Sequence, residues 1–245
     1  MPATAYLGPE GTFAEQAALV LASGDELRPA ESVPGAIAAL RAGEVDGACV
    51  PVENSVEGSV PATLDALAEA EPVIAVAETV LPIRFSVLVR PGAIAADVRI
   101  VATHPHAAAQ VRGWIAAHLP GATTIPTPST SAAAVAVLNG DADAAVCAPV
   151  AVQHYPLDEL ATEVHDVGDA ETRFLLLRHP GTLPPPTGTD RTSLVAVAAD
   201  RPGALLEVLA EFALRGINLT RIESRPIKGR LWEYRFFLDF EGHVA

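Results

Sequence analysis

The sequence is poor in the features that mark secreted and membrane proteins. Its 245 residues include only two cysteines, Cys49 and Cys147. Each lies in an apolar stretch, which is typical of a reduced, buried thiol rather than of a disulfide or a catalytic nucleophile. No run of roughly 18 apolar residues occurs, so we expect no membrane-spanning helix. The N-terminus has no basic segment, so we expect no signal peptide and a cytoplasmic protein.

Cations are also scarce. Lys and Arg number 16 against 30 Asp and Glu, and the net charge is −14. A protein that binds nucleic acid needs basic patches to displace counterions from phosphates, so this balance argues against nucleic-acid binding. Half of the residues are hydrophobic and 19% are charged, which indicates a globular chain. An anionic substrate would therefore need a local site, built from helix N-termini and a few arginines.

A stretch rich in Pro, Gly and Thr divides the chain. Residues 181–191 are predicted to be an exposed linker between a main unit, 1–180, and a tail, 192–245. Within the main unit, Leu40–Pro51 resembles Leu138–Pro149, since in each an alanine-rich helix and an acidic turn precede a short apolar strand. The repeat indicates two lobes of similar build, although helix–glycine–strand units are common enough to produce the same pattern independently.

Strand-like and helix-like segments alternate along the main unit. The predicted strands are 3–7, 47–52, 73–80, 85–89, 144–148 and 174–177, and the predicted helices are 12–23, 61–70, 105–118 and 131–139. This alternation predicts an α/β fold with mainly parallel sheets and flanking helices. Two such lobes would leave a cleft between them, where small ligands bind.

Three polar segments lie at predicted strand ends or helix starts. Gly8–Ala14 joins the first strand to the first helix, Glu53–Ser59 follows a buried strand, and Thr127–Ala132 brings four hydroxyls to a helix start. Backbone N–H groups and hydroxyls there could bind carboxylates. Ordinary turns and helix caps explain each segment equally well when it is taken alone. The same holds for Thr172–Phe174, where an exposed ion pair is the usual explanation.

Two histidines flank a proline at another predicted helix start. Thr103 is the predicted cap of this helix, and His104 and His106 lie on either side of Pro105. No third or fourth ligand accompanies the histidines, so we expect neither a metal site nor a cofactor.

Taken together and in order, these segments resemble the prephenate dehydratase family. Tyr6–Phe13 resembles its opening motif, Val50–Ser55 its strand-end motif and Thr172–Phe174 its catalytic signature, and Ser129–Ser131 matches its hydroxyl cluster. The resemblance covers nearly the whole chain, and the ordered set is specific although no single motif is decisive. Family members often carry an asparagine two residues before the signature threonine, where this chain has Ala170.

The resemblance implies a two-lobed catalytic domain like the type II periplasmic binding proteins. Lobe one would comprise about 1–80 and 162–180, and lobe two about 81–161. The implied activity is that of a carbon–oxygen lyase, which converts prephenate to phenylpyruvate, carbon dioxide and water in L-phenylalanine biosynthesis.

The resemblance also implies the residues of the site. The implied catalytic residues are Thr172, Arg173 and Phe174. The implied substrate-binding residues are Gly11, Thr12, Glu53, Asn54, Ser55, Ser129, Thr130 and Ser131. Thr172 would act on the ring hydroxyl of prephenate, and Arg173 would bind or orient a carboxylate.

The tail resembles an ACT domain, an α+β unit with the order βαββαβ. Its predicted helix is capped at Asp200 and ends at Gly216, between strands at about 193–198, 218–224 and 232–240. The pattern reaches Ala245 after the third strand, so we expect an incomplete domain and impaired feedback regulation. The implied phenylalanine-binding residues are Gly203, Ala204, Leu205, Leu206, Glu223, Ser224, Arg225 and Pro226. Pairing of ACT domains implies a homodimer or homotetramer.

Other functions stay open at this point. An arogenate or cyclohexadienyl dehydratase would use the same scaffold, and the sequence does not separate the substrates. A non-catalytic amino-acid sensor would keep the binding-protein-like body and the ACT domain, but Thr172 and Arg173 argue against it. A transport solute-binding protein is disfavoured by the N-terminus and by the tail.

Overall fold

The computed structural model describes residues 1–69, 71–166, 168 and 170–244. Its strands form three sheets, which we call the first, second and third sheet. The first and second sheets carry the two lobes of the main unit, and the third sheet belongs to the tail. In the described part of the chain, no helix is both long and apolar enough to cross a membrane.

The first lobe is built on a six-stranded sheet. Its elements are β1 (Ala3–Leu7), α1 (Phe13–Leu21), β2 (Glu26–Ala30), α2 (Val33–Arg41), β3 (Gly47–Asn54), β4 (Gly58–Ser59), α3 (Pro61–Leu67), β5 (Ile74–Pro82) and β11 (Glu171–Arg178). The strand order is β2-β1-β3-β11-β5, and β4 pairs with β3. Strand β11 returns from the far end of the main unit and inserts antiparallel between β3 and β5.

The second lobe repeats this plan on a five-stranded sheet. Its elements are β6 (Phe85–Val89), β7 (Ile100–Thr103), α4 (Pro105–His118), β8 (Thr123–Pro126), α5 (Thr130–Asn139), β9 (Ala144–Cys147) and β10 (Asp158–Val164). The strand order is β10-β6-β9-β7-β8. In each lobe two strand pairings are parallel and the others are antiparallel, so the prediction of mainly parallel sheets was wrong in part.

The tail forms a three-stranded antiparallel sheet with one helix. Its elements are β12 (Arg191–Val197), α6 (Ala204–Leu214), β13 (Leu219–Pro226) and β14 (Tyr234–Glu241), and the strand order is β12-β14-β13. Helix α6 packs on one face, where Phe212 contacts Phe240 with 5.4 Å between ring centroids. On the other face, Phe237 is 5% exposed and belongs to the hydrophobic core of the first lobe. The tail is therefore docked onto the first lobe.

Helix α2 illustrates how the sequence produces these elements. Ser32 precedes it, and its hydroxyl accepts a hydrogen bond from the N–H of Gly35, which caps the helix. Val33, Ile37 and Leu40 then recur at helical spacing and are all buried in the core of the first lobe.

Two predicted helix caps were wrong, and one helix is shorter than predicted. The cap of α4 is His104, because Thr103 is the last residue of β7 and its hydroxyl donates to the carbonyl of Val146. The cap of α6 is Gly203, with φ of +83°, rather than Asp200. Helix α3 ends at Leu67, and Ala70, the predicted end, lies outside the described residues.

Candidate active site

Two distant segments meet where β3 and β11 lie side by side. Thr172 is paired with Asn54 and Arg173 with Glu53. The amide nitrogen of Asn54 donates to the hydroxyl oxygen of Thr172 at 2.8 Å. Because the amide supplies the hydrogen of that bond, the hydroxyl hydrogen of Thr172 can be donated to a ligand.

The orientation of Asn54 is set by the loop that follows it. Its carbonyl oxygen accepts from the N–H groups of Val56, at 2.8 Å, and Glu57, at 2.9 Å. This turn leaves only the amide nitrogen for Thr172. Ser55 joins the same loop to β11, since its hydroxyl accepts from the N–H of Glu171 at 2.9 Å. Asn54, Ser55 and Thr172 are thus held as one group.

Arg173 belongs to a cluster of charged side chains that does not include Thr172. Its side chain is 6% exposed, and its guanidinium lies 2.5 Å from the carboxylate of Asp239, in the third sheet, and 2.6 Å from that of Glu78, in β5. Burial disfavours the charged guanidinium, but the two carboxylates outweigh this effect and raise its pKa. The chain's own carboxylates therefore occupy this cation, which was predicted to bind or orient a substrate carboxylate.

Phe174 completes the predicted signature. It is 2% exposed and packs in a hydrophobic cluster with Tyr6, Ala14 and Leu81. Ala170 is also buried, and its carbonyl accepts from the N–H of Ile83 at 2.7 Å. Both residues are therefore part of the packing around β11.

The loop before α1 contacts the second lobe. Gly11 adopts φ of +81°, and a Cβ atom there would lie 3.1 Å from the Cα of Ala151. Its N–H donates to the buried carboxylate of Glu15 at 2.6 Å, and the hydroxyl of Thr12 caps α1 by accepting from the N–H of Glu15. The first loop is thus fixed against residues that follow β9.

Sequence reasoning did not identify two of the groups at this contact. His154 lies 2.9 Å from Glu15, and the hydroxyl of Tyr155 donates to the carbonyl of Glu10 at 3.2 Å. Burial raises the pKa of Tyr155, and the charges of Glu10 and Glu15 add to this effect. Both residues follow a short 3-10 helix, and nothing in their local sequence indicates a partner in the other lobe.

The hydroxyl cluster lies at the start of α5. Ser129 caps the helix by accepting from the N–H of Ala132 at 3.0 Å, and the thiol of Cys147 donates to the carbonyl of Thr130 at 3.0 Å. Ser131 is fully buried. Burial raises the pKa of Cys147 to about 12, as it does for Cys49, so neither thiol is an ionised nucleophile near neutral pH.

The two lobes also meet at a second contact between a histidine and a carboxylate. His106, at the start of α4, lies 2.7 Å from Glu57, in the loop after Asn54. The two lobes are therefore in contact at the Gly11 loop and at the Glu57 loop. Among the residues that the structure describes, no group of three or more His, Cys, Asp or Glu side chains could hold a metal ion.

The third sheet reaches this region through polar side chains on one face. Arg221 and Glu223 of β13 contact the hydroxyl of Ser59, at 2.8 and 3.1 Å, and the Arg221 guanidinium lies 3.9 Å from Glu53. Arg225 forms two hydrogen bonds of 3.0 Å with the carboxylate of Asp65 in α3.

The predicted phenylalanine-binding residues are placed in two groups. Gly203, Ala204, Leu205 and Leu206 form the start of α6. Glu223 and Arg225 face the first lobe, whereas Ser224 and Pro226, between and after them, are exposed. Half of the second predicted motif is therefore engaged in contacts with the first lobe.

The chain resembles known proteins over both of its units. The prephenate dehydratase family model matches residues 4–182, and the ACT domain model matches residues 192–244. The chain belongs to the prephenate dehydratase family. A prephenate dehydratase from Amycolatopsis methanolica is 62% identical over 247 residues, which cover all of this chain and 81% of that protein. A prephenate dehydratase from Mycobacterium marinum is 51% identical over 255 residues, with the same coverage of each chain.

Solved structures show the same relationship. A prephenate dehydratase from Arthrobacter aurescens in complex with L-Phe has a TM-score of 0.91 and 44% identity, covering 99% of this chain and 81% of that one. GqqA, described as a novel type of quorum-quenching acylase, has a TM-score of 0.89 and 33% identity, covering 98% and 88%. The predicted fold class is confirmed: a two-lobed α/β domain like the type II periplasmic binding proteins, followed by an ACT domain.

Proposed function

We propose that this chain catalyses the decarboxylative dehydration of prephenate to phenylpyruvate. One prephenate dianion and one proton give phenylpyruvate, carbon dioxide and water, so the enzyme is a carbon–oxygen lyase. Aromatisation of the ring drives the reaction, and neither a covalent intermediate nor a metal is required. The enzyme must orient the dianion and assist departure of the ring hydroxyl.

The observation that carries this proposal is the hydrogen bond between Asn54 and Thr172. It aims the Thr172 oxygen and leaves the hydroxyl hydrogen for the leaving oxygen of the substrate. A threonine is a weak acid, so electrostatic assistance by the hydroxyl dipole is as good a description as proton transfer. In this proposal Asn54 and Ser55 hold the loop, and Ser129, Thr130 and Ser131 offer polar groups from the second lobe.

The geometry at Thr172 favours this reaction over an acylase reaction, which is the described activity of one structural neighbour. An acylase needs an activated nucleophile with a base beside it. Within the described residues, the hydrogen-bond partner of the Thr172 oxygen is the amide nitrogen of Asn54, which donates a hydrogen and cannot accept one. Thr172 is therefore better suited to donate a hydrogen bond than to attack a carbonyl.

We also propose feedback inhibition by L-phenylalanine through the ACT domain. Support comes from the match to the ACT model and from the L-Phe complex of the Arthrobacter relative. The proposed binding residues are those at the start of α6 and in Glu223–Pro226. The proposed domain limits are 1–180 and 192–245, and the proposed assembly is a homodimer or homotetramer in the cytoplasm.

Formation of phenylpyruvate from prephenate by the purified chain tests the activity. Arogenate is supplied in a parallel reaction, and each reaction is run with and without phenylalanine. Turnover of prephenate, inhibited by phenylalanine, is the expected result. Turnover of arogenate but not of prephenate would show that arogenate is the substrate. No turnover of either compound by a folded sample would contradict the proposal.

A further inference from the structure

A buried carboxylate in the ACT domain joins two arginines next to the candidate site. Asp239 is 2% exposed and lies 2.5 Å from the guanidinium of Arg173 and 3.7 Å from that of Arg221. Both arginines have largely buried side chains. Two guanidinium groups contact one buried carboxylate, so removal of its charge would take compensating negative charge from both of them.

Each arginine leads to one strand of the site. Arg173 follows Thr172 directly in β11, so the position of its guanidinium constrains the backbone that carries the catalytic hydroxyl. Arg221 contacts Ser59, which is paired with Glu53, and Glu53 precedes Asn54 in β3. Asp239 is therefore linked to both partners of the Asn54–Thr172 hydrogen bond, through different arginines and different strands.

Each of these arginines also has a partner other than Asp239. Glu78 accepts from the Nε atom of Arg173 at 2.8 Å, and Ser59 accepts from Arg221 at 2.8 Å. Loss of the Asp239 charge would therefore shift the arginines toward Glu78 and Ser59 rather than leave them without partners. A shift of this kind would change the geometry of the site, and loss of the buried charge would also lower stability.

We propose that Asp239 is a positioning residue for the reaction. It holds Arg173 and Arg221 so that the ends of β11 and β3 keep Thr172 and Asn54 in register for the substrate hydroxyl. The ACT domain thus supplies a group on which turnover depends, even though Asp239 does not touch the substrate. This inference rests on the proposed prephenate dehydratase activity.

The test compares Asp239→Asn with Asp65→Asn in the full chain. Asp65 is the matched control, because it forms an ion pair with Arg225 across the same contact but lies on α3. For Asp239→Asn we expect kcat to fall roughly 10- to 100-fold, as for a small misplacement of a catalytic group, while KM changes less than about threefold. For Asp65→Asn we expect kcat close to that of the wild type.

A double-mutant cycle separates positioning from a general loss of stability. Arg173→Lys keeps the charge but cannot contact two carboxylates with a planar fork. If Asp239 acts through Arg173, the double variant with Asp239→Asn and Arg173→Lys has a kcat reduced by much less than the product of the two single reductions. All assays are run well below the melting temperature of each variant. If Asp239→Asn does not fold, Asp239→Glu keeps the charge, moves it by one methylene and carries the same expected kcat loss.

Three outcomes would overturn the inference. These are a wild-type kcat in the Asp239 variant, an equal loss in Asp65→Asn, and independent effects in the cycle. A wild-type chain that forms no phenylpyruvate would instead overturn the proposed function, and the positioning role with it.

Discussion

The amide nitrogen of Asn54 lies 2.8 Å from the hydroxyl oxygen of Thr172, although 118 residues separate them in the chain. The contact exists because β11 returns to the first sheet and pairs with β3. A hydrogen bond between two strand ends fixes a hydroxyl group more firmly than a loop would. The candidate site is thus formed by sheet pairing between distant segments.

Removal of the Thr172 hydroxyl is the most direct test of its role. We expect Thr172→Ala to lower kcat by roughly 10²- to 10⁴-fold, the usual range for a positioned donor or acid. Thr172→Ser is the control, because it retains the hydroxyl and should keep most of the activity. Rates of phenylpyruvate formation measure both. Near wild-type turnover of the alanine variant would contradict the assignment.

Substitution of Asn54 can separate support of the loop from support of Thr172. Asn54→Asp keeps an acceptor for the N–H groups of Val56 and Glu57 but loses the donor to Thr172. We expect it to lower kcat with little change in the melting temperature. Asn54→Ala loses both functions, and we expect it to cost about 1–3 kcal/mol of stability as well. Equal activity of Asn54→Asp and the wild type would show that the donor is unnecessary.

The local sequence was sufficient to predict the bounds of a strand or helix where these depend on its own hydrophobic and capping pattern. The predicted bounds of β1, β6 and α4 match the structure. Strand β2 was not predicted, because Pro29 lies within it and its sequence does not alternate. The antiparallel insertion of β11 has no local signal, since which strands become neighbours depends on tertiary packing.

The same distinction applies to the site. The polar residues at the end of β3 were identified as candidates because they follow a buried strand abruptly. Asp239 gave no such signal, because it lies in a β-strand sequence, Tyr234–Glu241, in which a charged residue usually faces solvent. Its partner Arg173 is 66 residues away, and the contact became evident only with the docking of the third sheet.

A side chain at Gly11 should disturb the contact between the lobes. In Gly11→Ala the new Cβ would meet Ala151 and Tyr155 at 3.1 and 3.0 Å, in a backbone conformation with φ of +81°. We expect a loss of about 1–2 kcal/mol of stability from the backbone alone, and a higher KM because the lobes are displaced. Gly24→Ala is the control, since it has φ of +96° and no described atom within 4 Å. An unchanged KM in Gly11→Ala would argue against displacement.

The carboxylate of Asp143 should stabilise the second lobe in a pH-dependent way. The N–H of Arg99 donates to it, together with the N–H of Ile100 and the guanidinium of Arg90, and these contacts hold its pKa below the usual value. The ordinary value is about 3.9, so its contribution is present above about pH 4. The contribution is lost as the pH falls through the lower pKa of the folded state.

Asp143→Asn should therefore lower the free energy of unfolding at pH 7 by about 1–3 kcal/mol. The difference from the wild type should shrink as the pH is lowered below about 4. Urea unfolding at pH 7 and at about pH 3 measures it, and Asp141→Asn, at an exposed position two residues earlier, is the control. A difference that stays constant with pH would show that the charge is not responsible.

The two faces of β14 should respond differently to loss of an aromatic ring. Phe237 lies in the core cluster that also contains Leu64 of α3, whereas Phe240 contacts Phe212 of α6. We expect Phe237→Ala to cost about 3–5 kcal/mol, the usual range for a buried phenylalanine. It should also speed amide hydrogen exchange in both the third sheet and α3, because the Phe237 ring is part of the contact between the tail and the first lobe.

Phe240→Ala should instead speed exchange in α6 and leave α3 protected. Hydrogen exchange followed by mass spectrometry distinguishes the two patterns, with the wild type as reference. If α3 stays protected in both variants, the Phe237 ring does not contribute to the stability of the first lobe. In that case the ACT domain would be held to the first lobe mainly by its ion pairs. High salt should then weaken the docking, since partly exposed pairs such as Arg225–Asp65 are screened.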